Sequence, residues 1–169
     1  MGKSEALSLS IGVLGGIDTY LTATIFPVPV WVTFIAWASF FALGGGKAGF
    51  LRSIASNLTG IAIASLTLIS VGVLSQHPVV VAICVGVGSA AMVQASKVPL
   101  LSITPGIVFG FASTVGTTAV LGVPITTSGL GNPALVAAAA MVLGAMFGYA
   151  SEVIGNALVS KPAVLEASD

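Results

Sequence analysis

Few side chains in this sequence could take part in chemistry, and the first of them is an aspartate inside a long apolar segment. Asp18 lies within GGIDTYLTATIFP, residues 15 to 27, and Thr22 follows four residues later on the same face of a helix. An ionised carboxylate near the centre of a bilayer costs about 2.5–3.5 kcal/mol, so we expect it to face a bundle interior or a wet cavity. Asp18 could bind a solute or a proton there. It could equally hydrogen-bond a second helix and fix the register of the bundle.

A second polar pair has the same helical spacing. Ser53 and Asn57 are four residues apart in the segment RSIASNLTG. An asparagine side chain offers hydrogen-bond donors and an acceptor, which suits a neutral polar solute such as an amide or an alcohol. The other interpretation is a hydrogen bond between helices. Both remain open at this point.

The segment SITPGIVFG contains the most specific backbone feature of the sequence. Proline removes a backbone donor and clashes with the preceding turn, so a helix here is expected to break or kink at Pro105-Gly106. Carbonyl groups freed around Ser102 would then need partners from neighbouring helices, water or a solute. A simple proline kink is the alternative. Taken together, the predicted solute-binding residues are Asp18, Thr22, Ser53, Asn57, Ser102, Thr104, Pro105 and Gly106.

The remaining composition argues against an enzyme. With one His and one Cys, the sequence has almost no parts for a transition-metal site or a nucleophilic triad, so we expect no metal, no cofactor and no catalytic residue. The segment GGGKAG lacks the spacing of a phosphate-binding loop and the Ser or Thr that follows its lysine. The formal net charge is zero, which gives no reason to expect a nucleic-acid partner.

The surroundings of these residues are those of a membrane protein. Hydrophobic residues make up 56% of the 169 residues and charged residues 6%, and the mean hydropathy is +1.13. A soluble domain carries about 25% charged residues. We therefore predict a single all-α transmembrane domain over residues 1–169. Glycine- and proline-rich punctuation divides it into six spans, at about 7–26, 30–43, 51–74, 79–94, 100–121 and 133–158.

The distribution of basic residues predicts the orientation. In a six-span arrangement every Lys and Arg of the chain falls on the side of the N-terminus. Basic residues are enriched in cytoplasmic connections, so we expect both termini to be cytoplasmic. The residues concerned are Lys3, Lys47, Arg52, Lys97 and Lys161.

Small residues at helical spacing predict close packing of the spans. In lipid, such residues allow two backbones to approach and gain van der Waals contact. The predicted helix-packing residues are Gly12, Gly16, Gly60, Gly110, Gly144 and Gly148. An offset of fifty residues also aligns KAGFLRSIASNLTGIA with KVPLLSITPGIVFGFA, which indicates a parallel repeat or a chance match in apolar sequence.

Three segments carry a resemblance to a known family: FFALGGGKAGFLRSIASNLTG, VQASKVPLLSITPGIVFGFAS and LGAMFGYASEVIGN. With them the chain resembles the YcdZ-type family of small bacterial inner-membrane proteins, which is classed as a domain of unknown function. Its most specific elements are the glycines before Lys47, the Pro105-Gly106 pair and the GYA at residues 148–150. The resemblance implies an inner-membrane location and a multi-span helical fold, and it implies no activity. It does not extend to Asp18, and the connection GVPITTSGLGNP is longer than the family leads one to expect.

These observations together predict a channel or transporter for a small, neutral polar solute. Six short spans leave little room for a wide path within one copy, so we expect a homo-oligomer in the lipid bilayer. The alternative is a scaffold or accessory subunit that transports nothing and binds another membrane protein through its glycine faces. A cavity continuous from both sides favours the first function, and a dry, packed interior favours the second.

Overall fold

The structure is a computed structural model in which residues 1–159 are described. Within that range it contains six α-helices, one short 3-10 helix and no strand, which confirms the all-α class. The bounds are α1 Lys3–Thr24, α2 Val30–Ala42, α3 Gly46–Leu74, α4 Pro78–Ala95, the 3-10 helix Pro99–Leu101, α5 Thr104–Leu121 and α6 Pro133–Leu158. Lys161 of the orientation prediction lies outside the described residues.

Proline and a capping side chain set the start of two helices. α4 begins at Pro78, and Nδ1 of His77 accepts from the Val79 backbone N at 3.3 Å. α6 begins at Pro133, and Oδ1 of Asn132 accepts from the Ala134 backbone N at 2.8 Å. A proline at the first position of a helix loses no hydrogen bond, because its N–H would have no intrahelical partner there. Both starts agree with the predicted spans to within one residue.

α3 begins five residues earlier than predicted. The three glycines Gly44, Gly45 and Gly46 all have positive φ (105°, 66° and 59°), a region that residues with a Cβ rarely occupy. They turn the chain tightly from α2 into α3. The Glu152 carboxylate then accepts from the Gly46 backbone N at 2.6 Å, so a side chain of α6 caps the first turn of α3. Lys47 therefore lies in a helix and not in a loop.

Five of the six helices are long and apolar enough to cross a membrane, and α2 is shorter. Its 13 residues correspond to about 20 Å of helix, against roughly 30 Å of hydrocarbon. The non-helical segment Phe26–Pro29 precedes it. Two of those four residues are prolines without an N–H, and the other two donate to the Leu21 and Phe26 carbonyls at 2.9 and 2.7 Å. This segment therefore leaves no free backbone donor, which suits a position within the membrane.

Successive helices run in opposite directions, so that the first residues of α1, α3 and α5 lie at one end of the bundle. Glu152, near the end of α6, contacts the start of α3, and Gly106 in the first turn of α5 packs on Leu43 after α2. This end carries the four basic residues that are described, and it is called the basic end below. They are Lys3, Lys47, Arg52 and Lys97.

The core of the bundle is formed by α2, α3, α5 and α6. The two most extensive helix contacts are those between α3 and α5 and between α2 and α6. α1 packs on α6 and more lightly on α2, and α4 packs mainly on α3. α4 buries only Cys84, Gly88 and Met92. α1 and α4 are therefore the peripheral helices.

The contact between α3 and α5 has local two-fold symmetry. A Cβ on Gly60 would overlap the Ile107 carbonyl oxygen, and a Cβ on Gly110 would overlap the Asn57 carbonyl oxygen. The fifty-residue offset of the sequence relates Gly60 to Gly110 and Asn57 to Ile107, so each of the two contacts is the counterpart of the other. α3 and α5 also run parallel. The arrangement agrees with the parallel repeat interpretation of the sequence.

Candidate functional site

Asp18 lies on α1 and is completely buried where α1 faces α2. Its side chain is 0% exposed, and its Oδ2 shares a short hydrogen bond with Oγ1 of Thr33 on α2. Oδ1 has no hydrogen-bond partner. The Thr22 hydroxyl, which the helical spacing placed beside the carboxylate, instead donates to the Asp18 backbone carbonyl at 2.8 Å. Asp18 thus faces the bundle interior, as predicted, with one of its two oxygens unpaired.

The predicted Ser53–Asn57 pair forms a closed polar cluster with a third residue from α2. Nδ2 of Asn57 donates to Oγ of Ser53 at 3.3 Å, and Ser53 donates to Oγ of Ser39 at 3.1 Å. Ser39 donates to Oδ1 of Asn57 at 3.0 Å, which completes the ring. All three side chains are 0% exposed. This ring joins α2 to α3 by hydrogen bonds deep in the bundle.

The residues around Pro105 are not part of either cluster. The break in the fifth predicted span lies at Ser102 and Ile103, between the 3-10 helix and α5, and Pro105 occupies the first turn of α5. The Ile103 carbonyl accepts from the Gly106 backbone N at 3.0 Å, so it is not free for a solute. Ser102 and Pro105 are exposed, and Thr104 is half-buried. Gly106 is buried because α5 approaches α3 closely there, with Ser56 Cβ 2.8 Å from the position of an added Cβ.

Sequence reasoning missed several residues that hold these clusters together. Thr33 and Ser39 are the only hydroxyl side chains of α2, and this isolation within an aromatic helix was a usable signal. A further network joins three helices: Ser10 of α1 donates to the Ser151 carbonyl at 2.8 Å, and Nε1 of Trp37 donates to Oγ of Ser151 at 3.0 Å. Each polar side chain of α2 therefore reaches a different neighbouring helix.

Two cavities in the described part of the chain lie away from the predicted solute-binding residues. One of about 570 Å³ lies at the end opposite the basic end, beside Leu68, Gln76 and Thr118. A smaller one of about 170 Å³ lies at the basic end, beside Lys3, Phe41 and Glu152. Neither borders Asp18 or the Ser53–Asn57 cluster. No group of His, Cys, Asp and Glu that could hold a metal occurs among residues 1–159.

Three buried hydroxyl groups also lack a hydrogen-bond partner: Ser56 on α3, and Ser113 and Thr117 on α5. Ser113 and Thr117 are four residues apart and follow Gly106 and Gly110 on the same face of α5. A buried polar group without a partner is uncommon in native proteins. The interior therefore contains more polar groups than its own hydrogen bonds satisfy.

The predicted helix-packing residues divide into two groups. Gly60 and Gly110 form the crossing of α3 and α5, and Gly144 and Gly148 pack on Thr33 and Phe40 of α2. Gly12 and Gly16 have nothing within 4 Å of an added Cβ and lie on the exposed face of α1. Within the described chain, their small-residue face has no partner helix.

The fold and the buried polar clusters define a polytopic helical membrane protein, and comparisons with known proteins agree. Residues 8–156 match the family described as "Protein of unknown function (DUF1097)", and the chain belongs to this family. It is also 30% identical over 116 residues, 63% of this chain and 70% of the relative, to "Uncharacterized protein YahC" of Escherichia coli (strain K12). No solved structure matches the chain. The expected family of unknown function is thereby confirmed, and the narrower YcdZ-type assignment stays a prediction.

Proposed function

We propose that the protein is a channel or transporter that carries a small, neutral polar solute across the bacterial inner membrane. The observation that carries this proposal is Asp18, a fully buried carboxyl group with one oxygen that no side chain satisfies. Ionisable residues within membrane helices are rare and mark solute or ion pathways. A residue that only fixed helix register would be expected to use both oxygens.

The unpaired hydroxyls of α3 and α5 support the same proposal. Ser56, Ser113 and Thr117 are 0% exposed and each has an unsatisfied donor and acceptor, which a passing neutral solute could use. Neither of the two cavities described above reaches these groups, so a path would open by movement of the helices or lie between copies. We therefore also propose that the protein acts as a homo-oligomer.

The orientation that we propose places the basic end in the cytoplasm. Its support is the position of all four described Lys and Arg residues at that end. Both termini would then be cytoplasmic. Labelling of a cysteine placed at Lys3 by a membrane-impermeant reagent in intact cells would contradict this orientation. We propose the YcdZ-type assignment within the family on the three segments that carry the resemblance.

A swelling assay tests the transport proposal directly. Purified protein in liposomes is exposed to gradients of urea, glycerol and formamide, and the rate of swelling is compared with that of empty liposomes. We expect faster swelling with at least one solute, and a loss of about tenfold in Asp18→Asn, the equivalent of one polar contact worth about 1.4 kcal/mol. Glu5→Gln, which changes an exposed acid on the same helix, is the matched control and should keep the wild-type rate. Equal swelling with and without protein for every solute would contradict the proposal.

A scaffold or accessory subunit is the second candidate, and two observations favour it. The predicted solute-binding residues border neither of the two cavities described above, and Gly12 and Gly16 of α1 face outward with nothing against them in the described chain. Native mass spectrometry of the purified protein separates the two functions. An oligomer that Gly16→Leu dissociates indicates that this face binds a second copy. A monomer that is inactive in the swelling assay indicates a different membrane protein as the partner.

A further inference from the structure

The Thr33 hydroxyl lies between two oxygen atoms that cannot both accept its hydrogen. Its Oγ1 is 2.7 Å from the Val30 carbonyl oxygen and also makes the short contact with Oδ2 of Asp18. A threonine hydroxyl has one hydrogen to donate, and a carbonyl oxygen or an ionised carboxylate can only accept. Both contacts are satisfied together when Thr33 donates to Val30, and Asp18, as a neutral acid, donates from Oδ2 to Thr33.

Among the described residues, no positively charged side chain lies beside Asp18 to stabilise its ionised form. α1 packs on α2 and α6, and α2 has no titratable side chain. Besides Asp18, the titratable side chains of these three helices are Lys3, Glu5, Tyr20, Tyr149 and Glu152. The first two are more than three turns away, Tyr20 is 66% exposed, and the two on α6 lie at the basic end against Phe40 and Gly46. An ionised carboxylate with an unpaired oxygen in such a place would be very costly.

We propose that Asp18 is a proton-binding site and that release of its proton is coupled to separation of α1 from α2. This inference rests on the proposed function and names the coupling ion of the same site. On release, the O–H bond of the acid breaks, its electron pair stays on Oδ2, and the proton passes to water. The carboxylate must then gain contact with water. Because α1 makes only light contact with α2, that side of α1 is the one that opens most easily.

Infrared difference spectroscopy between mildly acidic and alkaline pH tests the bound proton. In the full-length protein we expect the carbonyl stretch of a neutral carboxylic acid, which is lost in Asp18→Asn. Thr33→Val should shift its frequency, because the acid loses its hydrogen-bond acceptor. Glu152→Gln is the control and should leave the band in place. If Asp18→Asn removes no such band, Asp18 does not take up and release a proton over this pH range, which overturns the proposal.

The coupling is tested by the accessibility of the neighbouring position. Thr22→Cys is made in a Cys84→Ala background, and its reaction rate with a membrane-impermeant thiol reagent is measured against pH. The rate is divided by that of the same protein carrying Asp18→Asn, which cancels the pH dependence of the thiol itself. The ratio should rise about tenfold per pH unit, because opening is linked to the release of one proton. A ratio that does not change with pH overturns the coupling. Asp18 would then be a permanently neutral residue that fixes the register of α1 against α2.

Neither measurement requires a solute, so the two proposals fail separately. Wild-type protein that shows the band and the rising ratio but swells no faster than empty liposomes would overturn the transport function alone. Protein that transports while the band is absent would overturn the proton site alone.

Discussion

The crossing of α3 and α5 allows a sharp prediction about stability. A Cβ on Gly110 would lie 2.9 Å from Cα of Asn57, whereas carbon atoms in contact are about 3.5–4.0 Å apart. A Cβ on Gly60 would lie 2.7 Å from the Phe111 backbone N. Both obstacles are backbone atoms that no rotamer change can move. Gly60→Ala or Gly110→Ala must therefore push the two helices apart by roughly 1 Å.

The expected magnitude follows from two opposing effects. Overpacking of a tight contact costs about 1–3 kcal/mol, and replacing glycine by alanine within a helix returns up to about 1 kcal/mol. Each single substitution should therefore lower the free energy of unfolding by about 1–2 kcal/mol. The double variant should cost little more than either single one, because the separation that admits the first methyl group also admits the second. A double-mutant cycle measures this failure of additivity.

The assay is reversible unfolding by SDS in mixed micelles, followed by the fluorescence of the two tryptophans, of which Trp37 is buried. Gly12→Ala and Gly16→Ala are the matched controls, since nothing lies within 4 Å of an added Cβ, and they should be neutral or slightly stabilising. Two results would refute the reasoning. One is a cost for Gly60→Ala no greater than that of the controls. The other is a double variant whose cost is the full sum of the single costs.

Other contacts give predictions of the same kind. Asn57→Leu should lower the free energy of unfolding by about 1–3 kcal/mol in the same assay because it leaves the buried Ser39 hydroxyl without its acceptor, and wild-type stability would contradict a structural role for the cluster. Glu152→Ala should cost about 1 kcal/mol and speed hydrogen exchange at the Gly46 amide, whereas Glu152→Gln should retain most of the cap. Gly148→Leu should destabilise each copy because an added Cβ would meet Phe40 at 2.9 Å. If that variant only changed oligomer size and left thermal stability unchanged, its face would contact another chain instead.

Much of the fold could be predicted because glycine and proline punctuate the sequence so clearly. The six helices follow from FPVP, GGGKAG, SQHP and the later turns, and the interruption before α5 follows from the proline there. The extent of α3 could not be predicted, because its first turn depends on a carboxylate that lies 106 residues away in sequence. The spacing of polar residues at i and i+4 was informative where the two residues hydrogen-bond each other on one helix, as Ser53 and Asn57 do.

The candidate site was harder to predict because its partners come from different helices. Asp18 could be placed in the bundle interior from the cost of burying a charge, but nothing in the spacing indicates Thr33 as its partner. The small-residue pairs show a related limit. Gly144 and Gly12 belong to similar patterns, yet one packs on α2 and the other has no partner within the described chain. Such a pattern predicts that a helix face can pack closely, and it contains no information about which chain supplies the other helix.

The position of α2 has a consequence for the order in which the protein is made. α2 packs mainly on α6, so most of its contacts become available only after a further hundred or so residues have been synthesised. At about 5–20 residues per second, that interval is on the order of ten seconds. During it, a helix too short to span the bilayer carries a tryptophan, Trp37, whose partner Ser151 has not yet been synthesised. We therefore expect nascent α2 to stay in contact with the insertion machinery, or with water at the membrane surface, until α6 has been synthesised.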